Sequence, residues 1–261
     1  MKKIAIVIIL LCISCIITIP FLTNNYNNKN NSFRNIKYYK EKNNKRYTLY
    51  KEKHPTISNK DIITYVNIGL DNPFYTHTSL SKNIETPYVL VNKYNYLNPG
   101  YIPKNLTKVD NTKLVDYVSV MFNEMKNEAK KNNLNIIAIS GYRSYNYQSN
   151  LYNKYVTVDG KEKADTYSAR AGYSEHQTGL AVDVSNGKTP YYSFEQTKEF
   201  VWMKDNAHKF GFILRYPKDK EKITGYSYES WHYRYVGIEI ASHIKKNNIT
   251  FDEYYVMFVE D

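Results

Sequence analysis

Hydrophobic positions follow three rhythms along the 261-residue chain. Ile4 to Leu22 is an uncharged and almost wholly apolar run behind Lys2 and Lys3. From Asn24 to His54 the chain is rich in Asn, Lys and Tyr and shows no convincing apolar period. From Ser58 onward, helical and strand patterns alternate. Ser58-Asn59-Lys60-Asp61 ahead of Ile62, Ile63, Val66 and Ile68 predicts a capped short helix. Leu90 to Tyr94 predicts a strand edge, followed by a Pro99-Gly100 turn. Thr112 to Lys131 places Leu114, Val115, Val118, Val120, Met121 and Met125 at helical spacing. Leu134 to Ser140 has strand length, and Tyr145 to Tyr155 returns to helix. Leu180 to Val184 predicts a short buried strand. Phe194 to Phe210 predicts a long helix with Gly211 as its C-cap. Phe212 to Arg215 and Trp231 to Val236 predict strands, and Ile238 to Lys246 a last helix. Helices and strands mix without regular βαβ repeats, so the class is α+β, a small central antiparallel sheet flanked by helices.

The first two rhythms suggest a division into residues 1–23, 24–57 and 58–261. The 19-residue run from Ile4 to Leu22 falls within the roughly 17–25 residues that span a bilayer. It has the basic start of an export signal, but no A-x-A cleavage site follows. An uncleaved membrane anchor is therefore expected, with a cleaved signal or a lipoprotein at Cys15 as alternatives. Each places the body outside the cytoplasm. Residues 24–57 carry nine basic and two acidic side chains, so +7 of the formal net charge of +11 belongs to this stretch. It reads as a basic, solvated linker suited to an anionic surface such as lipid headgroups or wall polymers, and nucleic acid is not the expected partner. The two cysteines, Cys12 and Cys15, both lie in the apolar run. The body therefore excludes a disulfide scaffold, a Cys-ligated metal and a cysteine nucleophile. The 28 tyrosines reflect composition rather than an aromatic-binding function.

Three segments carry candidate chemistry: Gly141-Tyr142-Arg143-Ser144 with Gln148, Ser174 to Val184, and Glu229-Ser230-Trp231-His232. Asp183 lies inside the core-like run Leu-Ala-Val-Asp-Val, where a carboxylate needs a partner or a metal to offset its desolvation. His176 precedes it across Gly179, and His232 sits in an aromatic strand. Two histidines and one carboxylate form a legitimate zinc set with a fourth position open to water. Glu229, a candidate general base, stands three residues before His232. On a regular strand the two would face opposite sides, so they share a site only if Glu229 precedes the strand or a bulge intervenes. His54, His77, His208 and His243 read as packed or surface residues.

Together these segments resemble the VanY-type D-alanyl-D-alanine carboxypeptidases, zinc peptidases related to the lysostaphin-like and hedgehog-type folds. The pattern S-x-H-x-x-G-x-A-x-D followed by E-x-W-H is met by Ser174, His176, Gly179, Ala181, Asp183, Glu229, Trp231 and His232. The resemblance covers roughly Asp61 to Phe258, including Leu90-Val91-Asn92-Lys93. Ala171 and Ser230 stand where proline is commoner in relatives, and neither is a ligand. The resemblance implies zinc ligands at His176, Asp183 and His232, a catalytic base at Glu229 and an oxyanion-stabilising arginine at Arg143. It implies that Ser174 and Gln148 hold the substrate's C-terminal D-alanine. The activity it implies is removal of the terminal D-alanine from peptidoglycan stem peptides. L,D-carboxypeptidase or endopeptidase activity, or a non-catalytic wall-binding role, are the alternatives. A serine-type mechanism has no motif here.

Overall fold

The computed structural model describes residues 32–260. The apolar run 4–22, expected to be an anchor, lies outside the described residues. Among the described residues no helix is long and apolar enough to cross a membrane. The chain divides into two compact units between Asn67 and Ile68.

In the N-terminal unit, the described part of the expected linker is folded. A 3₁₀ turn (Glu41–Asn43) leads into α1 (Asn44–Lys53), and α2 spans Asn59–Ile68. Tyr47 of α1 and Phe33 are buried together with Ile62, Ile63 and Val66 of α2. The Tyr47 hydroxyl donates to Asn67 Oδ1 at 2.7 Å, and Arg46 Nη2 donates to the Val66 carbonyl at 3.0 Å. Residues 32–57, expected as a linker, thus carry helical structure with a small buried core, and α2, expected to open the body, lies in the N-terminal unit up to Asn67. The physical reason is that tyrosine supplies much of this core. Its ring buries area while its hydroxyl finds a partner, so no purely apolar stripe marks the sequence.

The second unit is built on a four-stranded antiparallel sheet, confirming the α+β class. Its strands are β5 (Ile137–Ser140), β6 (Ala181–Ser185), β7 (Phe212–Leu214) and β8 (His232–Tyr235), ordered β5-β6-β8-β7. Ahead of them come the short parallel pair β1 (Ser79–Leu80) and β2 (Asn95–Tyr96), and the hairpin β3 (Leu106–Val109) and β4 (Thr112–Val115). That hairpin takes the first four residues of the expected Thr112–Lys131 helix, which starts at Asp116 instead (α3, Asp116–Lys131). Val118, Phe122, Met125 and Ala129, spaced four, three and four apart, are the buried stripe of α3, whereas Val120 is exposed. Burying each large side chain there contributes about 1.5–3 kcal/mol.

Helix α4 (Tyr145–Asp159) is capped by Ser144, whose hydroxyl accepts from the Tyr147 N–H at 3.2 Å. The shorter α5 (Lys161–Tyr167) follows. The expected long helix from Phe194 breaks at Thr197, whose extended backbone and N-capping side chain start α6 (Lys198–Asn206) afresh. Gly211 does terminate that region in the left-handed conformation. The chain ends with α7 (Ile238–Asn247) and an unexpected α8 (Phe251–Phe258), which opens with a Thr250–Glu253 capping box. Leu90–Tyr94 forms no ladder strand. It is a buried connection in which Lys93 Nζ donates to the Asp165 carbonyl at 2.6 Å and also to that of Gly225. Lys93 thereby ties the end of α5 to the loop before β8.

Candidate metal and catalytic site

Three local devices place the site residues. Strands β6 and β8 pair with Asp183 directly opposite His232, so the two side chains rise as neighbours from one face. Gly141 closes β5 where a Cβ would lie 2.4 Å from the Lys113 carbonyl oxygen, so glycine is required there. Its N–H donates to Thr112 Oγ1 at 2.6 Å, and its carbonyl meets His176 Nδ1 at 2.7 Å. The turn carrying His176 (Glu175–Thr178) ends at Gly179 with φ of +69°, a conformation few other residues adopt without strain. The Arg143 N–H donates to the His176 carbonyl at 3.1 Å, tying the first motif to the second.

These devices bring together the three residues expected to bind metal. His176 Nε2 lies 3.3 Å from Asp183 Oδ2, and His232 Nδ1 lies 3.1 Å from Asp183 Oδ1. One donor atom from each residue falls within 4.8 Å of the others, and all three residues are buried. Asp183 Oδ1, buried and close to His232 Nδ1, has no well-aligned hydrogen-bond donor. A tetrahedral ion with bonds of about 2.0–2.2 Å separates its ligands by roughly 3.4 Å, close to each of the two histidine–Asp183 separations.

Glu229 precedes β8, as its sharing of a site with His232 requires. Its N–H donates to the Tyr216 carbonyl at 3.1 Å, and its Oε2 stands 3.6 Å from His232 Nδ1. Arg143 Nη2 lies 2.6 Å from Asp183 Oδ2, while its Nε donates to Ser140 Oγ at 2.9 Å. Arg143, Ser174, Gln148 and Glu229 line one pocket of about 340 Å³ with the three candidate ligands, and Tyr147, Tyr191 and Trp231 contribute aromatic walls. Gln148 Nε2 is committed to the Ala169 carbonyl at 2.8 Å.

The electrostatics also fit a cation. Asp183 is held well below the usual carboxylate range because His176 and Arg143 outweigh the effect of burial. Burial and the nearby Arg143 charge push His176 down to about 4, leaving it neutral as a ligand must be. Burial alone would lower His232, but the Asp183 and Glu175 carboxylates prevail and push it up to about 9. Burial, helped by the Asp183 charge, pushes Glu229 up to about 8 against the pull of His232.

Comparisons with known proteins place the chain in a family. The family model described as "VanY: D-alanyl-D-alanine carboxypeptidase" matches residues 111–238. YodJ of Bacillus subtilis (strain 168) is 40% identical over 187 residues, which cover 67% of this chain and 68% of that protein. The chain belongs to the VanY family of D-alanyl-D-alanine carboxypeptidases. It is accordingly an enzyme of the zinc carboxypeptidase class. Among solved structures, the LD-carboxypeptidase LdcB matches with a TM-score of 0.64 and 38% identity, covering 69% of this chain and 90% of its own. A variant of the vancomycin-resistance D,D-pentapeptidase VanY, in complex with Zn(II), matches with a TM-score of 0.58 and 33% identity. That match covers 64% of this chain and 98% of its own.

Several residues around the VanY-type site are missed by motif reading. Glu175, wedged between Ser174 and His176, has a fully buried side chain. Its Oε1 accepts from Arg215 Nε and Arg234 Nη1, both at 2.8 Å. Arg215 reaches on to Asp252 Oδ2 at 2.6 Å, and Asn92 Nδ2 donates to Asp252 Oδ1 at 2.8 Å. Arg234 Nη2 also donates to the Val89 carbonyl at 2.7 Å. The desolvation argument that singles out Asp183 applies equally to arginines in the apolar strand segments 212–215 and 231–236, and that is the signal available for them.

Proposed function

We propose that the chain is a zinc-dependent D-alanyl-D-alanine carboxypeptidase that removes the terminal D-alanine from peptidoglycan stem peptides. The observation that carries this reading is the convergence of His176, Asp183 and His232 in a pocket that also holds Glu229. When bound, zinc supplies a Lewis acid for the scissile carbonyl and lowers the pKa of water from about 15.7 to about 7. Glu229, deprotonated once the cation's charge beside it offsets the effect of burial, takes the proton of the attacking water at a carboxylate oxygen and passes it to the leaving amine. Arg143, fixed by Ser140 and Asp183, turns its remaining N–H groups to the oxygen that gains negative charge. Ser174 donates to the terminal carboxylate of the substrate. Gln148, whose Nε2 is spent on Ala169, supports the wall of that subsite.

Residues 4–22 hold the enzyme in the membrane with its body outside the cytoplasm, where peptidoglycan lies. A secreted or lipid-anchored form is the alternative for that segment. A second reading, L,D-carboxypeptidase activity on tetrapeptide stems, is favoured by the likeness to LdcB. The test is to incubate the full chain with purified pentapeptide and tetrapeptide stems and follow product masses. D-alanine loss from the pentapeptide, abolished by chelation and restored by zinc, is expected. Trimming of the tetrapeptide alone would select the second reading. Full activity in a metal-free sample would overturn the zinc mechanism.

A further inference from the structure

The two histidine ligands are held from behind by different groups. His176 turns Nε2 toward the metal position and Nδ1 to the Gly141 carbonyl at 2.7 Å. His232 does the reverse. Its Nδ1 faces Asp183, so its Nε2 points away from the metal position. That Nε2 is buried and has no hydrogen-bond partner. Glu175 Oε2, also buried and without a partner, lies 3.5 Å from it. The other oxygen of Glu175 is held by Arg215 and Arg234, which leaves Oε2 as the oxygen that faces the imidazole. A histidine that ligates through Nδ1 must keep its proton on Nε2, and that proton needs an acceptor in a place water does not reach.

We propose that Glu175 is a positioning residue for the metal centre: its Oε2 accepts the Nε2 proton of His232 and so fixes the tautomer and ring orientation that present Nδ1 to the metal. Arg215 and Arg234 hold Glu175 in place, so the buried ion network of the core extends to the catalytic pocket. The inference deepens the proposed function and rests on its zinc site. The carboxylate that orients His232 comes from the turn that carries the other histidine ligand. One three-residue segment, Ser174-Glu175-His176, then serves the substrate, the second ligand and the metal itself.

The test is zinc affinity, measured by chelator competition on the full chain and its Glu175→Gln variant. Glutamine keeps the shape and can keep its oxygen on the arginines, but it then turns an amide N–H toward the N–H of His232. Outer-shell partners of this type are worth about 10- to 100-fold in metal affinity, so a loss of that size is expected. Affinity within about twofold of the unaltered chain would overturn the inference. A second measurement needs no variant. In the zinc-loaded chain, ¹⁵N spectra of labelled histidine should show His232 protonated at Nε2 with slow solvent exchange and metallated at Nδ1. Ligation through Nε2, or exchange as fast as for an exposed imidazole, would equally overturn it. An unaltered chain that binds no zinc would overturn the proposed function itself. Zinc bound equally tightly by chain and variant defeats the positioning role alone.

Discussion

Two clusters of ionisable side chains lie in the core of the second unit and meet at the pair His232–Glu175. In one, Glu175 and Asp252 face Arg215 and Arg234, two negative charges against two positive, with contacts of 2.6 to 2.8 Å. In the other, Asp183 and Glu229 face His176 and His232, and only Arg143 at the rim brings a permanent positive charge. Both clusters carry the cost of removing charge from water. The first recovers most of it internally, two charges against two through direct hydrogen bonds, with Glu175 Oε2 alone left to face His232. The second leaves Asp183 Oδ1 without a partner and raises the proton affinity of both His232 and Glu229. It is also the cluster that opens onto the pocket. A buried cluster that balances itself is structural, and one that needs a cation and faces a cavity is equipped for chemistry.

The contrast is broken most sharply at Glu229. Glu229→Ala should keep zinc bound and lower kcat by about 10²–10⁴-fold, the contribution of a general base. Metal analysis and steady-state kinetics check this, and unchanged kcat with zinc retained would place the base elsewhere. The corresponding change in the closed cluster should act on stability. Asp252→Ala leaves Arg215 with one carboxylate instead of two and should cost about 3–5 kcal/mol, read by chemical denaturation. A loss below about 1 kcal/mol would show that Asp252 does not help to balance the cluster. Ser174→Ala should cost about 10- to 150-fold in kcat/KM, because a hydrogen bond to a charged group contributes about 1.5–3 kcal/mol. The loss should shrink on a substrate whose terminal carboxylate is amidated, and equal losses would make Ser174 a turn residue only. The smallest effect is protonic. His232 is raised to about 9 in the metal-free protein, so at pH 7 it carries a proton that zinc must displace. Zinc binding at pH 7 should therefore release at least the proton of His232 and weaken as pH falls from 9. Calorimetry in buffers of different ionisation enthalpy measures that release.

The legibility of the sequence differs between the two clusters for the same physical reason. His176, Asp183 and His232, the candidate ligands, are exposed to motif reading because a metal site demands specific donor atoms, and few residue types supply them. Strands β5 to β8 were legible because their apolar runs are short and bounded by glycine or polar turns. The hairpin β3–β4 was not, because Leu114 and Val115 fit a helical stripe as well as a strand. The N-terminal helix α1 was hidden because its buried contact is a tyrosine whose hydroxyl needs Asn67, twenty residues away.

By itself the sequence pointed to the family and to His176, Asp183, His232 and Glu229 as candidate ligands and base, since these depend on residue identity at short spacing. It also determined the α+β class, which follows from hydrophobic period. Tertiary structure alone decided that Asp183 stands opposite His232, that Glu229 lies before the strand, and that Glu175 faces both Arg215 and Arg234. Each of those facts depends on strand register or on partners about forty to sixty residues apart. Such partners are chosen by how the sheet packs, because a buried charge is stabilised by whatever group the fold places within hydrogen-bond reach, and that distance has no counterpart along the chain.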